Sequence, residues 1–147
     1  MDIVTKQRRS EIMGRIGGKN TKPELLVRRH LHGEGFRYRL HPRDVPGRPD
    51  IVLKKHRAVI LVHGCFWHRH ASCKYAYSPK SDVDKWTKKF QRNVERDTEV
   101  MRLLRSQDWR VLTVWECALT RSPRPEVALR YISRWILSGR KTGQFPK

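Results

Sequence analysis

The sequence predicts one α/β domain, a mixed β-sheet flanked by helices. Three observations carry that reading. Short runs rich in β-branched and aromatic residues, at Ile51–Leu53, Ala58–Val62 and Trp109–Trp115, have the length and composition of buried strands. Two longer stretches, from Ser81 to about Ser106 and from Pro123 onwards, repeat apolar residues at helical spacing. At 147 residues the chain is one domain's worth, long enough for a modest core.

Charge narrows the function class. Lysine and arginine outnumber aspartate and glutamate 33 to 14, a formal charge of +19. Self-repulsion of that size opposes compaction and is tolerated where a polyanion neutralises it, which points to nucleic acid. A membrane is the weaker candidate, because no apolar run approaches the ~20 residues that span a bilayer. Met1 to Arg15 is polar and basic, unlike a secretory leader. Three cysteines without an export signal favour thiolate or metal chemistry over disulfides. The expectation is a cytoplasmic domain that faces nucleic acid.

The elements follow in order. Residues 1–20 are basic, with Ile12, Met13 and Ile16 in a short apolar stripe that Gly17-Gly18 interrupts. An arm that folds on a partner and a frayed terminus both fit. Thr21 is an N-cap for a helix to about Gly33, with Pro23 in the first turn and Glu24 at N3, a capping box. Glu24 shares a face with Val27 and Leu31, although capping alone also accounts for it. Phe36 to Leu40 alternates apolar and basic, as a half-exposed strand does. A turn-rich segment from His41 to Pro49 leads to Asp50, which opens the strand Ile51–Leu53. Lys54-Lys55-His56 then turns the chain back into an antiparallel partner, Ala58–Val62. An acid heading a buried strand is expected to find no free amide to cap, so Asp50 is read as chemical.

In the long helix Trp86, Phe90, Val94, Asp97, Met101 and Leu104 fall on one stripe. A carboxylate among five apolar residues needs a specific mate, a histidine or an arginine. A purely structural pair with a helix arginine is the alternative. Trp109–Trp115 is a strand closed by Glu116-Cys117, and the last helix runs through Val127, Leu129, Tyr131, Ile132, Trp135 and Ile136. Residues 139–147 are read as a basic tail.

Chemistry concentrates between Val62 and Cys73, where three imidazoles, two thiols and two adjacent aromatics are gathered. Cys65, His70 and Cys73 form C-x4-H-x2-C, and Cys117 supplies a fourth soft ligand, the donor set of a structural zinc. Free buried thiols beside a surface histidine are the alternative. Phosphodiester cleavage needs a hard, oxygen-ligated divalent ion, a base for the attacking water and charge neutralisation at phosphate. Asp50 and Val62-His63 come close across the ladder, so Asp50 can bind Mg2+ with the Val62 carbonyl as a neutral donor. One or both of His63 and His68 are free for acid–base work, with Asp97 the group to orient His68. Phe66, Trp67 and Trp86, set among basic residues, suit stacking on bases or wedging between them; core burial is their ordinary fate.

The segments Pro46-Gly47-Arg48-Pro49-Asp50, His63-Gly64-Cys65-Phe66-Trp67-His68, Asn93-Val94-Glu95-Arg96-Asp97 and Trp109 to Cys117 together resemble the very-short-patch repair (Vsr) DNA mismatch endonucleases. The likeness spans residues from about 8 to 120. It implies a restriction-endonuclease-like core in which histidine chemistry replaces the usual acidic-x-Lys element. It also implies Mg2+-dependent nicking of mismatched double-stranded DNA, 5′ to the thymine of a T:G pair. By this resemblance Asp50 and the Val62 carbonyl bind Mg2+, while His63 and His68 are catalytic. Asp97 stands behind His68, and Glu24 holds the outer shell of the metal site. Cys65, His70, Cys73 and Cys117 bind Zn2+. Phe66, Trp67 and Trp86 intercalate beside the mismatch, and the N-terminal helix, with Met13 and Arg15, closes over the opposite groove. The family has threonine where this chain has Val62, a change that a backbone ligand survives. The interval from His70 to Cys73 is one residue longer here.

The expected organisation is a DNA-contacting arm at 1–20, an endonuclease domain at 21–138 and the tail at 139–147. A monomer at the bacterial nucleoid is expected, with mismatch-repair proteins as candidate partners. Two rival readings use the same residues: a non-catalytic zinc module that binds distorted DNA, and a restriction-type nuclease that cuts matched sites in both strands.

Overall fold

The computed structural model describes residues 20–147. The expected arm, with Met13 and Arg15, therefore lies almost wholly outside the described residues. Along the chain come α1 (Lys22–Gly33), β1 (Arg39–Leu40), β2 (Ile51–Leu53), β3 (Ala58–His63), α2 (Val83–Ser106), β4 (Arg110–Trp115), α3 (Pro125–Ser138) and β5 (Thr142–Phe145). The strands form one open sheet in sequence order. Pairing is antiparallel from β1 to β3 and parallel from β3 to β5, so the sheet is mixed, as expected. The two parallel steps are crossovers, carried by α2 and α3.

Side-chain alternation divides the core into two layers. Ala58 and Ile60 of β3, with Leu112 and Val114 of β4, pack against Val27 and Leu31 of α1 and Ile132, Trp135 and Ile136 of α3. Val59 and Leu61, with Val111, pack against Leu104 of α2. The same alternation carries His63 to the α2 side. There the His63 backbone pairs with Trp115 at the far end of β4.

Helix α1 starts where expected, with the Glu24 amide donating to Thr21 Oγ1 at 3.4 Å. The reciprocal arm of the box is displaced by one residue, since the Glu24 carboxylate accepts from the Asn20 amide at 3.0 Å. Four expectations need correction. Phe36 to Leu40 is strand only at Arg39–Leu40. The Phe36 amide instead donates to Leu31 at the end of α1, and the three residues of β2 offer a partner too short for more. In α2, Val94 is exposed and only Leu104 of the proposed stripe is fully buried, because Trp86 and Phe90 in its N-terminal half pack on the Phe66–Trp67 loop. In α3, Val127 is exposed and Ala128 takes the buried position. Residues 139–147 are more than a tail, since Thr142–Phe145 completes the sheet against the free edge of β4.

No helix among the described residues is long and apolar enough to cross a membrane.

Candidate active site and metal centre

Three groups of potential ligands gather where β2 begins and β3 and β4 end. The first is Glu24, His41 and Asp50. Asp50 does cap an amide, contrary to the sequence reading: the Val62 N–H donates to its Oδ2 at 2.7 Å. β3 runs on past the end of its pairing with β2, so the Val62 amide is left without a ladder partner on that side. A strand residue turns its N–H and C=O to the same neighbour, so the Val62 carbonyl also faces the Asp50 side. Glu24, 2% exposed, is buried yet well supplied. Its Oε1 accepts from Arg28 Nη2, and His41 Nε2 lies 3.1 Å from the same oxygen. His41 also comes within 3.5 Å of Asp50 Oδ1.

His41 was not foreseen. It belongs to the turn-rich loop, whose ends are tied by the His41 amide donating to Pro49 at 3.1 Å. Its backbone is left-handed, φ 46°, an uncommon conformation that swings the ring back toward the next strand. The two prolines bracketing the loop, Pro42 and Pro49, were its one sequence signal.

The second group is His63, His68 and Asp97. Asp97 has found the histidine expected of it, with His68 Nδ1 2.7 Å from its Oδ2. It sits half-buried on α2 rather than deep among apolar neighbours. The His63 and His68 rings are stacked, with centroids 3.9 Å apart and planes within 7°. Burial, and then the neighbouring His68, push the His63 imidazole down from its ordinary 6.5 to about 4, against the pull of Asp97 and Asp50. Its ring is therefore neutral at pH 7.

The third group is Cys65, His70, Cys73 and Cys117, whose ligand atoms lie within 4.8 Å of one another. Backbone turns position them, with the His70 amide donating to Cys65 and the Ala76 amide to Cys73. Cys117 Sγ is 3.6 Å from His70 Nδ1, and the His70 ring stacks on Trp115 at 4.2 Å. Burial lowers the His70 pKa, which favours the neutral, ligating imidazole. Burial pushes the Cys65 and Cys117 thiols up, so they ionise readily only beside a cation.

Phe66, Trp67 and Trp86 form one aromatic cluster with Phe90 and Tyr77. Phe66 is its hub, while Lys89 lies 4.8 Å from the Trp67 ring centroid on the outer side. Two further residues, missed in the sequence, hold this loop. The Arg69 guanidinium donates to the carbonyls of Phe66, Ala76 and Tyr77 and stacks 3.9 Å over Phe90. Asn93 Nδ2 donates to the Trp67 carbonyl at 3.1 Å, tying the loop to α2.

A family model described as DNA mismatch endonuclease Vsr matches residues 1–74. The DNA mismatch endonuclease Vsr of Escherichia coli is 37% identical over 137 residues, 92% of this chain and 87% of that one. The chain belongs to the Vsr family. Two more of its relatives are type II nicking enzymes. V.XorIIP of Xanthomonas oryzae pv. oryzae is 44% identical over 131 residues, 89% of this chain and 96% of the relative. V.NmeAIP of Neisseria meningitidis is 46% identical over 118 residues, 80% and 84% of the two chains. As a Vsr-family protein the chain is an endonuclease, and the strong positive charge fits DNA as its substrate.

Proposed function

We propose that this Vsr-family endonuclease is Mg2+-dependent and nicks one strand of double-stranded DNA 5′ to the thymine of a T:G mismatch. One observation carries the reading: the Asp50 group and the His63–His68–Asp97 group share one end of the sheet, beside a basic aromatic cluster. The printed names of the relatives, a mismatch endonuclease and nicking enzymes, support the reaction class.

The donor sets fit two ions. Asp50 and the Val62 carbonyl are hard oxygens suited to Mg2+, with Glu24 in the outer shell. Cys65, His70, Cys73 and Cys117 suit a closed, tetrahedral zinc site that braces the loop against the end of β4. A magnesium ion held by Asp50 and the Val62 carbonyl would neutralise charge on the scissile phosphate and favour ionisation of a water. The side chains do the rest. His68 takes the proton of the attacking water, and Asp97 on its Nδ1 fixes the tautomer that leaves Nε2 to do so. His63, uncharged and stacked on His68, donates to a phosphate oxygen. The water oxygen bonds to phosphorus as the ester bond breaks, and the departing oxygen is protonated from solvent.

Phe66, Trp67 and Trp86 wedge into the duplex beside the mismatch, while the arm at residues 1–20, through Met13 and Arg15, closes over the other groove. The endonuclease domain, restriction-endonuclease-like in core, runs from residue 21 through β5. The chain acts as a monomer at the nucleoid, with mismatch-repair proteins as its protein partners.

A strand-cleavage assay tests this. Wild type nicks a T:G duplex with Mg2+ and spares the matched duplex, while Asp50→Ala binds the mismatch without cutting. Cleavage by Asp50→Ala overturns the metal assignment. Indifference to Mg2+ favours a binding module, and double-strand cutting of matched DNA favours a restriction-type enzyme.

A further inference from the structure

The Asp50 carboxylate divides its work. Oδ2 is taken by the Val62 amide, and Oδ1 faces His41 Nε2 at 3.5 Å. His41 Nε2 is itself buried and makes no aligned hydrogen bond, although Glu24 Oε1 lies 3.1 Å away. A histidine placed only to pair with these acids would point its N–H along one of those lines, because leaving a buried donor without an acceptor is costly. Instead the nitrogen lies within 3.5 Å of both carboxylates and is hydrogen-bonded to neither. Ligands at ~2.1 Å from a six-coordinate ion stand about 3 Å apart on neighbouring corners. His41 Nε2 and Asp50 Oδ1, the two atoms that would bind directly, stand 3.5 Å apart, near that spacing. Glu24 Oε1 is already bonded to Arg28, which leaves it better placed to accept from a metal-bound water than to bind directly.

We infer that His41 Nε2 is a direct ligand of the divalent ion held by Asp50. This inference rests on the proposed metal role of Asp50 and deepens it. Imidazole nitrogen is a poor donor to magnesium and a better one to first-row divalent metals, increasingly so from manganese through cobalt to nickel. The site is thereby widened from Mg2+ toward transition metals, with His41 setting the preference.

Zinc-loaded enzyme, titrated with Mn2+ and separately with Mg2+ by calorimetry, reads the effect. His41→Gln weakens Mn2+ about tenfold or more, within the range for losing a metal-site partner, and leaves Mg2+ nearly unchanged. Pulsed electron paramagnetic resonance on the Mn2+ complex gives an imidazole nitrogen coupling in wild type that His41→Gln loses. Wild type without that coupling, or equal loss of both metals in His41→Gln, overturns the inference, and the wild-type spectrum does so even if the variant folds poorly. Asp50→Ala separates the two levels. If it abolishes Mn2+ binding while His41→Gln is silent, only the His41 assignment fails. If Mn2+ binding survives in Asp50→Ala, the Asp50 site itself is wrong.

Discussion

The fold holds His68 and Asp97 as a pair, the one to which the proposed reaction assigns proton transfer. α2 brings Asp97 over the end of β3, and a 2.7 Å contact fixes one nitrogen of His68. His68→Ala is expected to lower kcat by ~10²–10⁴, the usual contribution of a positioned base, with little change in DNA affinity. Single-turnover nicking beside a binding isotherm checks this; equal losses in both would make His68 a binding residue. His63 makes a different prediction. Its pKa falls from 6.5 to about 4 on folding, so the unfolded chain binds the extra proton between those values. That contribution to stability is complete above pH 6.5 and is lost as the pH drops toward 4. Urea melts at pH 7 and pH 5 should show a smaller acid loss in His63→Gln than in wild type. The residue types of this site were legible in the sequence because chemistry restricts them. His41 was not, because its role depends on a left-handed turn and a loop closure that one histidine beside a proline does not announce.

At the scale of elements, the Pro46–Pro49 turn is set against α2 by close contact. Gly47 has φ 76°, and a Cβ there would meet Val100 Cγ1 at 2.6 Å. Gly47→Ala therefore combines a left-handed penalty with overpacking, an expected loss of about 1–3 kcal/mol by chemical denaturation. Because the turn leads directly into Asp50, nicking should fall more than the melting temperature alone accounts for. β5 works in a similar way at the other edge, where Gly143 lies so near Trp135 that a Cβ would sit 2.6 Å from its Nε1. The buried strands β3 and β4 were read correctly because continuous apolar runs have few other uses. β5 was missed because it is a half-exposed edge strand of four residues. Its strand character comes from the open edge of β4 more than from its own composition.

For the whole molecule, the open mixed sheet gives the three clusters a common end. Parallel pairing of β3 and β4 sets His63 and Trp115 side by side, and Cys117 follows at once to meet the loop that left β3. Removing zinc with a chelator should lower Tm by on the order of 10 °C, since ligand-coupled folding energy is lost. DNA binding should weaken with it, because the aromatic loop is pinned there. A melting temperature unmoved by chelation, at a measured zinc content of zero, would sink the structural-zinc assignment. By itself, the sequence determined the fold class, the buried strands, the polyanionic partner and the ligand types, because periodicity, charge and donor chemistry are local properties of residues. Only the tertiary structure decided which potential donors lie together. Asp50 grouped with Glu24 and His41, and His63 with His68 and Asp97, because strand register and helix placement act between residues far apart in the chain.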